Sequence, residues 1–281
     1  MKQIRIAHLS DPHFGAINEG VVEGLLTTLN KLKPSLILLT GDITQRARRS
    51  QFRAAKVFTK SLLPTPIIAL PGNHDIPLFN LPARILHPYR GFRRLFKDKV
   101  EKDYVLHEVR VTGLNSTSRW RHVQGDFNLE RITHRLKAPQ VPTKIRIVAF
   151  HHPMDCAQHV DEKNLLRGRD EAMQIFAEQK IDLVLGGHIH DPFVNLSGQR
   201  YPHIQRSIIL GVAGTCLSWR TRAAAPNSFN LIDVNLEDTP EIQFTRYDIS
   251  DRLLFAPITC RKFVRDRSDG WSEIEKCDDP L

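Results

Sequence analysis

Short runs of β-branched residues and leucine recur along the chain, and most of them end in a polar turn that contains glycine. In the first third of the chain these runs alternate with segments of helical periodicity. The pattern predicts strands at 4–9, 36–39 and 67–70, and helices at 19–32 and 46–62. This strand-helix alternation is typical of an α/β sheet.

Beyond residue 104 the predicted strands follow one another more closely. They fall at 104–109, 110–115, 144–150, 182–185, 207–213, 229–236 and 241–248, with helices at 128–137 and 167–179. Two facing sheets flanked by helices accommodate so many strands. We predict a single domain over 1–265, although two ordinary domains would also fit the 281 residues. A polar, loosely ordered C-terminal tail is expected over 266–281.

The composition indicates where in the cell the protein works and what kind of partner it binds. Lys and Arg total 40 against 31 Asp and Glu, and the net charge of +9 suits a partner or substrate that carries phosphate. The chain starts directly in a strand-like run, without the regions of a signal peptide, and no stretch is long enough to span a membrane. The four cysteines, Cys156, Cys216, Cys260 and Cys277, have no CxxC or zinc-finger spacing. These features predict a cytoplasmic protein with reduced thiols, and they leave the oligomeric state open.

Polar side chains follow five of the predicted strands at the points where the strands end. They are Asp11 and His13, Asp42, Asn73 and His74, His151 and His152, and His188 and His190. The ligand crevice of an α/β sheet lies at the carboxyl ends of its strands, where these turns would gather. Each turn taken alone is better explained by turn chemistry, which favours Asp and Asn. Five such strand ends together are hard to obtain from turn preferences.

This combination of carboxylate, amide and imidazole predicts a site for two divalent metal ions. Such ions accept mixed ligands, and a pair about 3.5 to 4 Å apart holds the attacking and leaving oxygens of a phosphoryl transfer. A carboxylate must then bridge them, and Asp42, at a glycine turn between those of Asp11 and Asn73, is the natural bridge. A water bound to the ions ionises near pH 7 and supplies a nucleophile.

Five blocks in this order, DPH, GD, GNHD, HHP and GHIH, closely resemble the signature of the calcineurin-like metallophosphoesterases, and the resemblance extends from residue 4 to about 236. It implies an α/β (α+β) fold of two packed mixed β-sheets flanked by helices, the metallophosphoesterase-like β-sandwich. It also implies the metal ligands: Asp11, His13 and His190 for one ion, Asn73, His151 and His188 for the other, and Asp42 as the bridge. The ions would be Mn, Fe or Zn.

The resemblance makes His74 the catalytic acid. It would sit beside the scissile bond and protonate the leaving oxygen, a task that suits imidazole near neutral pH. Many members continue the second block as GDxxD, with the last aspartate orienting this histidine, whereas the present chain has Gln45 there. The Gln45 amide can accept a hydrogen bond but supplies no charge. We therefore expect His74 to be less basic, or to be oriented by Asp75 or another group.

Substrate choice is expected to depend on the loops at 76–103, 115–127 and 214–230. GNHD with HHP resembles the bacterial phosphodiesterases, including the cyclic-nucleotide enzymes, more than the protein phosphatases, whose block usually reads GNHE. Candidate anion-binding residues are Arg119, Arg121, Arg220 and Arg222, and candidates for stacking on a base are Trp120 and Trp219. Solvated arginines and tryptophans at the core edge are an equally good interpretation. No arginine adjoins a ligand in the five turns, which favours diesters over monoesters.

Three functions from different classes remain. The leading prediction is a dinuclear metal-dependent phosphodiesterase that cleaves a small phosphodiester, with 3′,5′-cyclic nucleotides as the best guess, through a metal-bridged hydroxide. The alternative is a nuclease or a hydrolase of nucleotide-linked lipid or sugar pyrophosphates. A nucleic acid is not favoured, because the basic run from Arg46 to Lys56 is typical of a solvated helix face and no nucleic-acid-binding motif is present. A non-catalytic scaffold is disfavoured because the ligand set is complete.

Overall fold

The computed structural model describes residues 3–97, 100–137, 141–222, 225–266 and 270–277. The strands are β1 (Gln3–Leu9), β2 (Leu36–Thr40), β3 (Ile67–Leu70), β4 (Lys102–Leu106), β5 (Val109–Gly113), β6 (Ile145–Ala149), β7 (Leu183–Gly186), β8 (Phe193–Leu196), β9 (Ile209–Val212), β10 (Ser228–Asn235), β11 (Glu241–Ile249), β12 (Phe255–Arg265) and β13 (Trp271–Cys277). The helices are α1 (Glu19–Leu32), α2 (Arg49–Ser61), α3 (Leu81–Leu86), α4 (Arg90–Phe96), α5 (Leu129–Leu136) and α6 (Arg169–Glu178). None of the helices in these ranges is long and apolar enough to cross a membrane.

The first sheet, as far as the chain is described, has the strand order β13-β12-β11-β10-β1-β2-β3. β1, β2 and β3 are parallel, with Ile6 opposite Leu36 and Ile37 opposite Ile67. β10 runs antiparallel to β1, and the remaining strands continue antiparallel. The carboxyl ends of β1, β2 and β3 therefore meet at one edge of this sheet.

The second sheet has the order β4-β5-β6-β7-β9-β8 within the described residues. Its central strands β5, β6, β7 and β9 are parallel, and the edge strands β4 and β8 are antiparallel to their neighbours. Both sheets are thus mixed, and helices flank them. The predicted α/β architecture of two packed mixed sheets is confirmed.

The apolar strand runs reflect burial on both faces of each sheet. On β2, Leu36 and Leu38 pack between the two sheets, against residues such as Ile147 of β6. The alternate residues Ile37 and Leu39 belong to the core under α1 and α2. A third cluster packs the outer face of the second sheet against α5 and α6. The core between the sheets holds their strand ends, and hence the polar turns, close together.

Two predictions of irregular structure are wrong. The predicted loop at 76–103 contains α3 and α4, which are too short to show a helical period in the sequence. The expected loose tail includes β13, which pairs with β12. Trp271 anchors this strand: its side chain is buried and its indole Nε1 donates to Asp182 at 3.0 Å. Residues 267–269 and 278–281 of the predicted tail lie outside the described residues.

Candidate metal centre

The turns after five strands converge, and they bring all seven predicted metal ligands into one cluster. From the first sheet come Asp11 and His13 after β1, Asp42 after β2, and Asn73 after β3; from the second come His151 after β6, and His188 and His190 after β7. Asp11, His13 and His151 are completely buried. The clustering that the sequence predicted at the carboxyl ends of the strands is present in the fold.

One group of donor atoms gathers around Asp11. Its Oδ1 lies 3.2 Å from His190 Nε2 and 3.6 Å from His13 Nε2. The two imidazole nitrogens are 3.1 Å apart. Three donor atoms on two separate turns, one from each sheet, therefore face a common centre, as the ligands of a metal ion must.

A second group gathers around His151. Its Nε2 lies 3.1 Å from Asn73 Oδ1 and 3.2 Å from His188 Nδ1. Asp42 Oδ2 is 3.4 Å from the same nitrogen, and it is also 3.7 Å from His13 Nε2 in the first group. Asp42 is therefore within reach of both groups.

Each buried carboxylate uses one oxygen for structure and leaves the other for the cluster. Asp11 Oδ2 accepts from the backbone N–H of His188 at 2.9 Å. Asp42 Oδ1 accepts from the backbone N–H of His74 at 2.8 Å. The first contact joins the two sheets, and both fix the remaining oxygen towards the imidazoles.

Backbone carbonyls set the orientation of two imidazoles. His151 Nδ1 lies 2.7 Å from the carbonyl of Thr40, and His190 Nδ1 lies 2.7 Å from the carbonyl of Arg220. A carbonyl only accepts, so each Nδ1 carries the proton. In the neutral ring the Nε2 lone pair then points into the cluster, which is the arrangement of metal-binding histidines.

The electrostatics of the cluster fit divalent cations. Burial lowers the pKa of His13 to about 4 and that of His188 to about 3, so both rings are neutral and able to ligate. Burial alone would also lower the pKa of His151, but the charge of Asp42 raises it to about 9. Burial opposes ionisation of Asp42, yet the nearby histidines hold its pKa well below the usual range. The cluster therefore joins ionised carboxylates to imidazoles, and a metal ion that binds there would displace the proton of His151.

The backbone is strained at most of these positions. Asp11, His13, Asp42, His188 and His190 all adopt φ values between 47° and 72°, which residues other than glycine rarely do. Such conformations cost of order 1–3 kcal/mol each and collect at functional sites. They turn the chain sharply after each strand, so that the side chains point back over the strand ends.

His74 lies beside the cluster. Its Nδ1 donates to the backbone carbonyl of Gln45 at 2.8 Å, and its Nε2 is 4.0 Å from Asp42 Oδ2. The Gln45 side chain instead accepts from Arg220 at 3.2 Å. Asp75 binds the backbone N–H groups of Ile43, Thr44 and Gly72. The orienting group is therefore the main chain at residue 45, and neither the Gln45 amide nor the Asp75 carboxylate serves in that role.

Of the four candidate arginines, Arg220 reaches the cluster. Its Nη1 is 3.5 Å from His13 Nε2, besides its contact with Gln45. Arg222 forms a two-bond ion pair with Asp161, and Arg121 pairs with Asp126. An arginine therefore reaches the cluster although none adjoins a ligand in the sequence, because Arg220 approaches from the loop after β9.

The other loop candidates lie away from the cluster or point into solvent. Arg119 Nη1 donates to the carbonyl of Ile85 at 2.8 Å. Trp120 and Trp219 are 73% and 65% exposed. These two tryptophans are thus not part of the core edge, and base stacking by them stays a prediction.

Sequence reasoning missed His122. Its ring centroid lies 5.4 Å from that of His74, and its Nδ1 is buried with no hydrogen-bond partner among the described residues. Burial, and then the proximity of His74, lowers its pKa. The buried guanidinium of Arg84 holds this loop by donating to the carbonyls of Arg119 and Arg121. The only sequence signal was the position of His122 within the predicted substrate loop at 115–127.

Two known proteins are similar in sequence to more than half of this chain. A probable cyclic nucleotide phosphodiesterase of Synechococcus sp. is 25% identical over 266 residues, which cover 86% of this chain and 95% of that protein. A probable glycerophosphodiester phosphodiesterase of Arcobacter nitrofigilis is 28% identical over 165 residues, 57% of this chain and 58% of the relative.

A solved structure has a similar fold, and a family model matches most of the chain. The solved purple acid phosphatase from yellow lupin (Lupinus luteus) seeds has a TM-score of 0.70 at 13% identity, and the match covers 95% of this chain and 55% of that structure. The sequence profile of the calcineurin-like phosphoesterases matches residues 4–192, which include all seven clustered side chains as well as His74. The chain is therefore a phosphoesterase hydrolase that belongs to the calcineurin-like phosphoesterase family.

Proposed function

We propose that this protein is a dinuclear metal-dependent phosphodiesterase. The proposed ligands are Asp11, His13 and His190 for one ion, Asn73, His151 and His188 for the other, and Asp42 for both. The observation that carries the proposal is the position of Asp42 Oδ2, 3.4 Å from His151 and 3.7 Å from His13. When bound, divalent ions such as Mn, Fe or Zn would neutralise the phosphate and supply an ionised water as nucleophile.

His74 is the proposed acid. Its Nδ1–H is held by the Gln45 carbonyl, and its Nε2 lies 4.0 Å from Asp42 Oδ2. When the ring is an imidazolium, Nε2 carries a proton that can pass to the leaving oxygen as the ester bond breaks. The ring is then neutral and keeps its hydrogen bond to Gln45, so its position is the same before and after the transfer.

Arg220 and the 115–127 loop would bind the substrate from two sides. The Arg220 guanidinium, beside His13 and Gln45, can donate to one non-bridging phosphate oxygen. A single arginine suits the single charge of a diester better than the nearly double charge of a monoester. His122, on the opposite loop next to His74, is the nearest candidate to contact the organic part.

The proposed substrate is a small phosphodiester, with a 3′,5′-cyclic nucleotide as the best guess. The similarity to the probable cyclic nucleotide phosphodiesterase of Synechococcus sp. supports it. A glycerophosphodiester is the second candidate, favoured by the relative from Arcobacter nitrofigilis.

Hydrolysis assays with manganese test the proposal in two steps. Bis-nitrophenyl phosphate should be cleaved with a higher kcat/KM than nitrophenyl phosphate, and chelation should abolish both reactions. A clear monoester preference would contradict the diesterase. Chromatography of the products from 3′,5′-cyclic AMP and glycerophosphocholine then compares the two candidate substrates.

A further inference from the structure

The positive charge of this protein is concentrated in one stretch. Residues 43–97 contain eleven Lys and Arg and a single acid, Asp75, whereas the rest of the chain has 29 Lys and Arg and 30 Asp and Glu. Asp75 is completely buried and its carboxylate accepts three backbone N–H groups. The whole net charge of +9 therefore derives from this stretch, and its one acid is not available to the surface.

The stretch folds into one surface formed by α2, α3 and α4. α2 and α4 pack together, and a cavity of about 560 Å³ between them is lined by Arg53, Lys56, Arg90 and Arg94. A second cavity of about 940 Å³ lies on the other side of α4 and is lined by Arg93, Arg94 and Trp120 among others. Arg94 lines both cavities. We call this region, with Trp120, the α2–α4 surface.

Five cations of this surface are exposed and have no acidic partner in the part of the chain that the structure describes. Arg53, Lys56, Arg90, Arg93 and Arg94 are all exposed, and none has a carboxylate within 4.0 Å among the described residues. Elsewhere in the fold exposed and half-buried arginines commonly have acidic partners, as Arg222 has Asp161. Such a surface attracts a polyanion, because none of the described carboxylates neutralises these five cations.

Large apolar side chains stand among these cations. Phe79 is 83% exposed, Leu86 69% and Leu81 61%. They lie within eight residues on and next to α3, and the Arg46 guanidinium is 5.7 Å from the centre of the Phe79 ring. Single exposed apolar residues are ordinary, but a group of them within a basic surface marks a binding site.

We propose that the α2–α4 surface docks on a bilayer that contains anionic phospholipid. The arginines and lysines would contact the anionic headgroups, while Phe79, Leu81 and Leu86 enter the boundary between headgroups and acyl chains. A nucleic acid would use the cations but leave the two leucines exposed, since bases stack on aromatic rings. Membrane docking accounts for both features of the surface.

Docking here would bring the candidate site to the bilayer. His74 lies in the chain between α2 and α3, and Ala47, two residues after the Gln45 carbonyl that holds the His74 ring, lines the cavity between α2 and α4. The rim of the site is therefore continuous with the α2–α4 surface. The inference does not rest on the proposed function, because docking requires no catalysis.

Vesicle co-sedimentation of the full chain tests the proposal. Vesicles of phosphatidylcholine mixed with phosphatidylglycerol should carry the protein down, pure phosphatidylcholine vesicles should not, and salt should weaken the binding. Arg93→Gln with Arg94→Gln should lower the partition coefficient roughly thirty-fold, about 1 kcal/mol for each cation. Phe79→Ser with Leu86→Ser should lower it roughly tenfold or more.

The matched control is Lys102→Gln with Arg252→Gln, which removes the same charge from exposed positions on β4 and the turn before β12. It should bind like the native protein, and thermal unfolding should show that all variants are folded. Equal binding to neutral vesicles, no binding to mixed vesicles, or an equal loss in the control would overturn the proposal. So would binding to single-stranded DNA that needs the arginines but not Phe79 and Leu86, without binding to vesicles.

Discussion

The two sheets contribute different chemistry to the site. The first sheet supplies both carboxylates and the amide, with two imidazoles, whereas the second sheet supplies imidazoles alone. From the first sheet come Asp11, His13, Asp42, Asn73 and His74, and from the second His151, His188 and His190. Neither proposed ion would have all its ligands from one sheet, so the site depends on how the sheets pack.

The electrostatics of the site also depend on how the two sheets pack. Asp42 of the first sheet raises the pKa of His151 of the second to about 9, although burial opposes it. The backbone N–H of His188 donates to Asp11 across the sheets. The core between the sheets thus has a role beyond stability, because it fixes the distance between carboxylates and imidazoles.

Loss of the shared carboxylate should have the largest effect. Asp42→Asn keeps the shape of the side chain but removes the charge that faces both imidazole groups. We expect kcat/KM for bis-nitrophenyl phosphate to fall by roughly 10³-fold or more, beyond the 10- to 100-fold typical of indirect contacts. The control is Asp233→Asn, which lies in the same sheet and pairs with Arg5 outside the site. Similar activities of the two variants would contradict a special role for Asp42.

His74→Ala should separate the acid from the ligands, because His74 directly follows the proposed ligand Asn73 in the turn after β3. Activity should fall by on the order of 10²- to 10⁴-fold, the usual scale for general acid catalysis, while the metal content stays that of the native protein. The loss should be smaller for a nitrophenyl ester, whose leaving oxygen needs little protonation. Loss of metal would identify His74 as a ligand instead.

Arg220→Gln tests the one cation that approaches the cluster from outside the ligand turns. Removing a charged hydrogen bond of about 1.5–3 kcal/mol should lower kcat/KM by roughly 10- to 100-fold. Arg119→Gln is the matched control, because its guanidinium donates to a backbone carbonyl on α3. If the two variants behave alike, Arg220 does not bind the phosphate.

The smallest effect concerns the pH dependence of the metal-free protein. In the folded state His151 keeps a proton up to about pH 9, whereas the unfolded chain loses it near pH 6.5. This stabilisation is fully present below pH 6.5 and is lost as pH rises towards 9, so the free energy of unfolding should fall over that interval. His13 and His188 have lowered pKa values, so their titration changes the free energy of unfolding only below pH 6.5.

Thermal unfolding of chelator-treated protein from pH 6.5 to 9 measures this slope. His151→Gln should flatten it, because the variant has no proton to lose in this range. An unchanged slope in the variant would show that another group titrates and that the coupling between Asp42 and His151 is weaker than the distances suggest.

The architecture and the clustered residues could be predicted, because an apolar run that marks a strand and a polar turn that marks the site meet at each strand end. Apolar runs buried on both faces identified the central strands, and the polar turns after them fell at one edge. β8, β12 and β13 were not predicted: β8 is a half-buried edge strand, β12 contains Pro257, and β13 is an edge strand with Trp271 as its buried anchor. Edge strands carry weaker patterns than central ones because one side lacks a partner.

The environment of His74 could not be predicted, because main-chain and tertiary contacts create it. The carbonyl of Gln45 orients the ring whatever side chain stands there. Arg220 and His122 reach the site from loops distant in the chain, so spacing gave no indication of their approach. The left-handed backbone at residues such as Asp42 is only weakly indicated by residue type, because Asp and His adopt it more often than most residues but still rarely.

Metal stoichiometry tests the central claim most directly. The native protein, stripped with chelator, reloaded with manganese and freed of excess ion, should contain two ions per chain by elemental analysis. Asp42→Asn should contain fewer than two, and His74→Ala should retain both. One ion or none in the native protein, or two in Asp42→Asn, would contradict a dinuclear site that the two sheets share through Asp42.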